Sequence, residues 1–161
     1  ERSRLQGALL WVRRLIGFAL VGGAMALLPT TQEAALAVSW QPYSPARFEQ
    51  AQREGRPVII DIYADWCLPC VELDHVTFRH PEVVERLNEF VALRVDATRE
   101  VPPQAEELLE RYEVYGVPTV LLFDTIGEEH AEMRVNGFIP PKELLARLVQ
   151  VSRDEAARSS P

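Results

Sequence analysis

The stretch that decides the fold is Asp61-Ile62-Tyr63-Ala64-Asp65-Trp66-Cys67-Leu68-Pro69-Cys70, which contains both cysteines of the chain. The apolar, β-branched residues that lead into it predict a buried central strand over 58–64. Pro69 stands where the first turn of a helix tolerates proline. A strand, a short turn, a Cys-x-x-Cys pair and a helix in this order indicate a redox pair of cysteines.

The spacing of the two cysteines suits thiol–disulfide exchange, in which a thiolate is the attacking species. Cys67 would lie at the start of the helix, where unpaired backbone N–H groups and the helix dipole stabilise a negative sulfur. Cys70 would follow one turn later on the same face, close enough to resolve a mixed disulfide formed on Cys67. We therefore predict Cys67 and Cys70 as the catalytic residues.

Two other uses of the cysteine pair were weighed against exchange. A purely structural disulfide gains least stability when the loop that it closes is so short. A zinc site built from Cys67, Cys70, His75 and His80 matches no common finger spacing, and the chain has no second Cys-x-x-Cys. We predict no metal and no cofactor beyond the cysteine pair itself.

The residues from Tyr63 to Cys70 resemble the active-site segment of thioredoxin-fold proteins. Their Tyr-Ala-Asp-Trp-Cys form resembles, more specifically, the C-terminal periplasmic domain of DsbD-type thiol:disulfide interchange proteins. The likeness runs over about 38–151. The other matching positions are Glu72, Thr77-Phe78, Pro81-Glu82-Val83, Gly116-Val117-Pro118-Thr119 and Val135-Asn136-Gly137-Phe138.

The resemblance implies a protein-disulfide reductase that relays electrons. The reduced cysteine pair would receive electrons from a membrane-embedded dithiol domain. It would pass them to periplasmic thioredoxin-like proteins, which reduce isomerases or cytochrome c maturation proteins. Two alternatives stay open: a stand-alone exported thioredoxin-like reductant for cytochrome c maturation, and a non-catalytic binding module on the same fold.

Four residues are predicted to support the cysteines. Asp61 lies in the apolar strand, where a charge is costly, so we predict a buried acid with a raised pKa that helps to move the proton of Cys70. Asp74 lies one turn beyond Cys70; DsbD-type domains carry Glu there, and a solvated helix charge is the alternative. Trp66 would form an apolar lip for partner docking, or merely pack. Pro118 matches the cis-proline of thioredoxin folds, which lies beside the cysteine pair.

The N-terminal part indicates an exported or membrane-bound protein. Arg2 and Arg4 belong to a basic flank over 1–10, and an apolar segment over 11–28 predicts a transmembrane helix or a signal peptide, followed by a linker over 29–37. The excess of arginine before the segment predicts a cytoplasmic front and a periplasmic remainder. The expected location is thus the bacterial inner membrane, with the cysteines in the periplasm.

The rest of the chain completes an α/β domain over 38–151 with a flexible tail over 152–161. Alternating or apolar runs predict strands over 90–95, 117–123 and 131–136, with helices between and after them. This order fits a thioredoxin fold, a central mixed sheet flanked by helices. The formal net charge of −7 argues against nucleic acid as a partner.

Overall fold

The computed structural model describes residues 37–158, and their elements follow the predicted order of strands and helices. The strands are β1 (Gln41–Pro42), β2 (Val58–Tyr63), β3 (Val91–Asp96), β4 (Thr119–Phe123) and β5 (Val135–Asn136). The α-helices are α1 (Pro45–Arg53), α2 (Leu68–Glu72), α3 (Pro81–Leu87), α4 (Pro103–Arg111) and α5 (Pro141–Arg158).

The strands form one mixed sheet in the order β1-β3-β2-β4-β5. β2 pairs in parallel with β3 and antiparallel with β4, so it lies at the centre. Because successive strand residues point to opposite faces, β2 supplies apolar side chains to both sides of the sheet. The predicted thioredoxin fold is confirmed for these residues.

The two faces of the sheet carry separate cores. Ile59 belongs to the core that contains Leu73 of the segment after α2 and Leu144 and Leu148 of α5. Val58, Ile60 and Ile62 belong to the opposite core, with side chains from α1 and α4. Asp61 alternates with Ile60 and Ile62 and therefore faces the same side as Ile59, toward the helix that follows the cysteines.

The helix after the cysteines is not uniform. The sequence predicts a continuous helix to Val76, whereas the structure has α2 to Glu72 and then a π-helical turn, Leu73–Thr77. Thr77 is buried in that turn, and its hydroxyl donates to the carbonyl of Ile139 at 2.6 Å. A π-helical turn places its residues differently from an α-helix, and such turns occur often at functional sites.

The predicted strand over 131–136 is wrong in its first half. Ala131–Met133 forms a 3₁₀ turn, and only Val135–Asn136 pairs with β4. Met133 and Val135 are both buried, so the alternation that suggested a strand arises from a helical turn followed by a short strand. Likewise, β4 begins at Thr119 rather than at residue 117, after a cis peptide bond between Val117 and Pro118.

The remaining predicted domain boundaries lie near the two ends of the chain. Helix α5 continues to Arg158, beyond residue 151, where the sequence placed the end of the thioredoxin-like domain. The flexibility of 152–161 stays a prediction. The basic flank over 1–10, the membrane or signal helix over 11–28 and nearly all of the linker over 29–37 lie outside the described residues. No helix among the described residues has the length and apolar character needed to cross a membrane.

Candidate active site

The cysteine pair lies where the sequence predicts it, between the end of β2 and the start of α2. Cys67 is the N-cap of α2, and its Sγ accepts a hydrogen bond from the backbone N–H of Cys70 at 3.2 Å. The two cysteines form a disulfide with their Cα atoms 5.3 Å apart. When the bond is reduced, the same N–H and the helix start would stabilise a thiolate at Cys67.

Both cysteines are almost fully covered by the residues around them. Cys67 and Cys70 are 5% and 3% exposed, and they pack in a small cluster with Ala64. Because a thiol must approach along the line of the S–S bond, the residues around Cys67 control which partners reach it. Leu68, which follows Cys67 directly, is exposed on the surface of the same turn.

Pro118 lies beside the cysteine pair through its neighbour Val117. Val117 packs against the cluster of Cys67 and Cys70, and the Val117–Pro118 peptide bond is cis. The predicted cis-proline is therefore present. A groove of about 410 Å³ begins at this point. It is lined by Glu113, Tyr115, Gly116, Val117, Pro118, Thr119, Arg134, Asn136 and Gly137.

Trp66 is the exposed aromatic residue beside the nucleophile. Its side chain is 69% exposed, while its Nε1 donates to the carbonyl of Thr98 at 2.9 Å. The same Thr98 accepts a hydrogen bond from the backbone N–H of Asp65 through its hydroxyl. The indole is thus held at one edge by the β3–α4 loop and presents the rest of its surface to solvent. This position agrees with a docking lip better than with simple packing, and the docking role stays a prediction.

The loop that holds Trp66 is itself held by Asp96, at the end of β3. Thr98 donates its backbone N–H to Asp96 Oδ1 at 2.9 Å. The hydrogen bonds from the side chain and backbone of Thr98 hold the pKa of Asp96 below its ordinary value. An ionised Asp96 therefore fixes the loop that carries the carbonyl partner of Trp66.

Asp61 is buried, as the sequence predicts, with only 2% of its side chain exposed. Burial raises its pKa from 3.8 to about 7, and the charge of Arg94 opposes that rise. Arg94 Nη2 lies 2.7 Å from Asp61 Oδ2. A buried carboxyl group that titrates near neutral pH is able to accept and return a proton under ordinary conditions. Its role toward Cys70 stays a prediction.

Asp74 is only partly exposed and forms an ion pair with Arg94. It lies in the π-helical turn, and its two carboxylate oxygens accept hydrogen bonds from Arg94 at 2.6 and 3.3 Å. Arg94 thereby joins Asp74 of the active-site helix to Asp61 of the central strand. Both carboxylates are predicted from the sequence to lie near the cysteines, whereas the cation between them is not.

A signal for Arg94 exists in the sequence. A charge in an apolar central strand calls for a partner, and strand 91–96 contains one cation, Arg94. Because parallel neighbours of a central strand share its faces, Arg94 was the natural candidate to pair with Asp61; in the structure the two occupy the same register position of β2 and β3. Periodicity alone predicts Arg94 only as a polar position of an alternating strand.

No group of three or more His, Cys, Asp or Glu side chains among residues 37–158 is arranged to hold a metal ion. The histidines do not cluster with the cysteines. His130 is buried, with Nδ1 3.4 Å from Glu132 Oε1.

The Cys67–Cys70 disulfide lies at the N-cap of the helix that follows the central strand, and Val117 of the cis Val117–Pro118 bond packs against it. This arrangement defines a dithiol–disulfide site on a thioredoxin fold. A family model described as thioredoxin-like matches residues 39–125, which is more than half of the chain. The chain belongs to the thioredoxin-like family.

Comparison with curated sequences narrows the likeness. The chain is 42% identical over 107 residues to the thiol:disulfide interchange protein DsbD of Klebsiella pneumoniae, which covers 65% of this chain and 18% of that protein. It is 39% identical over 97 residues to the protein of the same name from Escherichia coli K12, covering 60% and 17%. The chain therefore spans less than a fifth of the length of these relatives.

Solved structures agree with this likeness. A thioredoxin from Thermus thermophilus is 30% identical with a TM-score of 0.63, and the match covers 77% of this chain and 94% of that one. The oxidised C-terminal domain of DsbD from Neisseria meningitidis is 26% identical with a TM-score of 0.58, covering 68% and 98%. The predicted resemblance to the C-terminal domain of a DsbD-type protein is confirmed.

Proposed function

We propose that this chain is the thioredoxin-like electron carrier of a thiol:disulfide interchange system. In this proposal it accepts electrons from a membrane-embedded dithiol domain and passes them to periplasmic thioredoxin-like proteins. The observation that carries the proposal is the Cys67–Cys70 disulfide at the N-cap of α2. The names of the relatives, which are thiol:disulfide interchange proteins, support it.

The first step of electron delivery starts from the reduced pair. The Cys67 thiolate attacks one sulfur of a partner disulfide, a Cys67–partner S–S bond forms, and the other partner sulfur leaves as a thiolate. The N–H of Cys70, which points to Cys67 Sγ, favours the charged form of the attacking sulfur. This step needs no cofactor.

The second step closes the disulfide that the structure contains. Cys70 loses its proton and attacks Cys67 Sγ, the Cys67–Cys70 bond forms, and the second partner sulfur leaves as a thiolate. Two electrons pass to the partner, and the pair is oxidised. A donor dithiol regenerates the pair by the same two steps in reverse.

Asp61 is proposed to accept the proton of Cys70 in the second step. Its burial and its pKa of about 7 support this role, because such a group is partly ionised at neutral pH. The groove beside Val117 and Pro118, together with exposed Trp66, is proposed to hold the partner segment around its disulfide. The periplasmic face of the inner membrane is the proposed location.

The chemistry is tested with the reduced full chain and glutathione disulfide. The Cys70→Ser variant should keep a glutathione adduct on Cys67, because the resolving sulfur is absent. The wild-type protein should release the glutathione and form the Cys67–Cys70 disulfide. Mass spectrometry of acid-quenched samples separates these species.

The matched control is Cys67→Ser, which leaves only Cys70, the cysteine that lies inside α2 rather than at its N-cap. Its adduct should form much more slowly than that of Cys70→Ser. Equal rates for the two variants would remove the distinction between attacking and resolving cysteine. Failure of the reduced wild-type protein to reduce insulin would overturn the proposed activity.

The direction of electron flow and the location are tested in cells that express the full-length natural protein. Acid quenching followed by alkylation should find the cysteine pair mainly reduced, and removal of the membrane-embedded dithiol should shift it to the disulfide. A membrane-impermeant maleimide should label the reduced pair in cells whose outer membrane alone is permeable. A pair that stays oxidised in both strains, or labelling only after lysis, would contradict the proposal.

A further inference from the structure

Arg94 shares one guanidinium group between two carboxylates from different elements. Its Nη1 and Nη2 donate to the two oxygens of Asp74, in the π-helical turn of the active-site helix. The same Nη2 lies 2.7 Å from Oδ2 of Asp61, in the central strand. With both carboxylates ionised, this cluster carries one positive and two negative charges, so neither carboxylate is fully compensated.

Two aromatic rings restrict where the guanidinium group can go. The Trp40 and Tyr63 ring centroids lie 4.4 and 4.5 Å from the central carbon of Arg94. Trp40 is in turn held by an edge contact with Phe78, at 5.0 Å between ring centroids. Stacking of this kind suits the planar guanidinium group and not a lysine ammonium. The two rings therefore hold the cation beside both carboxylates.

We propose that Arg94 is a positioning residue that couples Asp61 to Asp74, so that a change of charge at Asp74 redirects the guanidinium group and alters proton binding at Asp61. The proposal deepens the proposed function, on which its consequence for Cys70 rests. Through Arg94 the active-site helix, which carries Cys70 one turn before Asp74, would influence the acid that takes the Cys70 proton.

The electrostatics of the cluster agree with this coupling. Burial raises the pKa of Asp61, the charge of Arg94 lowers it, and the charge of Asp74 raises it again. The charge of Arg94 also acts on Asp96, at the end of β3, and on Tyr63, at the end of β2, and lowers the pKa of each. In the oxidised protein the two cysteines do not titrate, so the titration of Asp61 is measured without overlap from theirs.

The test is a double-mutant cycle read by carbon-13 NMR of the Asp61 carboxyl group in the oxidised full chain. Asp74→Asn should lower the pKa of Asp61 by about one pH unit or more, because a like charge is lost and the guanidinium group is freed for Asp61. Arg94→Gln should raise it. In the Arg94→Gln background, Asp74→Asn should shift the pKa by less than half as much.

Equal shifts from Asp74→Asn in the two backgrounds would overturn the coupling, and so would an unchanged pKa in Arg94→Gln. Glu72→Gln, which removes an exposed carboxylate from the same helix, is the matched control and should leave the pKa of Asp61 in place. If Arg94→Gln does not fold, Arg94→Lys replaces it. Lysine keeps the positive charge but lacks the planar guanidinium group that donates to both carboxylates. The shift that Asp74→Asn causes in the pKa of Asp61 should therefore again be smaller, and an undiminished shift would refute the proposal.

The consequence for the cysteines has its own measurement. The rate at which Cys70 displaces glutathione from Cys67 should have a pH midpoint that moves downward in Asp74→Asn together with the pKa of Asp61. An unmoved midpoint would refute a positioning role in exchange. The NMR cycle needs no exchange partner, so a protein that shows the coupling and reduces no disulfide would disprove the proposed function and leave the coupling intact.

Discussion

Replacement of Asp61 by asparagine should make the stability of the domain less dependent on pH. The carboxyl group is buried and has a pKa of about 7 in the folded protein, against an ordinary value of 3.8. Between these two values the folded protein holds a proton that the unfolded chain has lost. Asparagine keeps the shape of the side chain and has no proton to lose.

The sign and size follow from the two pKa values. The contribution of Asp61 to stability is fully present below about pH 4, and it is lost as the pH rises through the folded pKa, because the folded state binds more protons in that window. One pKa unit corresponds to about 1.36 kcal/mol, so the interval from 3.8 to about 7 gives a loss on the order of 4 kcal/mol. Asp61→Asn should lack this loss.

The assay is urea unfolding of the oxidised wild-type and Asp61→Asn proteins at several values between pH 4 and pH 8.5. Groups that titrate equally in both proteins cancel in the difference. The change in the ion pair with Arg94 adds an offset that does not obscure the slope through the acid window. Equal m-values for the two proteins would show that their unfolded states are comparable.

Asp65→Asn is the control, since it removes an exposed carboxylate from the turn before Cys67. It should follow the wild-type pH profile. The reasoning would be refuted if the free energies of unfolding of wild-type and Asp61→Asn ran parallel from pH 4 to pH 8.5. A difference that grew toward acid rather than alkaline pH would refute it equally, because it would mean that the folded pKa is lowered.

Three further predictions concern other parts of the domain. Trp66→Ala should change the free energy of unfolding by less than ~0.5 kcal/mol, since the side chain is 69% exposed. It should raise KM for insulin about fivefold or more, while the control Trp66→Phe stays close to wild type. An unchanged KM in Trp66→Ala would remove the docking role. Gly127→Ala and Gly55→Ala should each lower the free energy of unfolding in urea by about 1 kcal/mol, because both glycines have positive φ and a Cβ at residue 127 meets only the end of the flexible Gln52 side chain. A much larger cost at Gly127 that disappears in a Gln52→Ala background would contradict this. Leu148→Ala should lower the free energy of unfolding by about 2–5 kcal/mol, because Leu148 is fully buried. Leu145 is partly exposed, so Leu145→Ala should cost clearly less. Equal losses would contradict the observed packing of α5.

The sequence was most informative where the local sequence around a residue favoured a single structural role. The apolar, β-branched run before the cysteines predicts a buried strand, and Pro69 suits the first turn of a helix. Asp61 within that run required burial with a raised pKa or a partner, and the structure has both. Each of these predictions depends only on a few neighbouring residues, so it does not require knowledge of the fold.

The sequence was least informative where contacts join distant parts of the chain. The Arg94 pairs with Asp61 and Asp74 depend on strand register and on a π-helical turn, and neither is encoded by periodicity. The short strand β5 was overestimated because Met133 and Val135 alternate in burial for two different reasons. The groove beside Pro118 also draws residues from segments that are far apart in the sequence.

The two outer strands of the sheet, β1 and β5, are each two residues long, and β1 ends in Pro42. A strand of this length offers few backbone groups to a neighbouring molecule, and proline lacks the N–H that would extend a ladder. Outer strands this short disfavour edge-to-edge pairing with another sheet. The exposed apolar side chains Trp66 and Leu68 thus belong to a domain whose outer strands give an extended segment little to pair with.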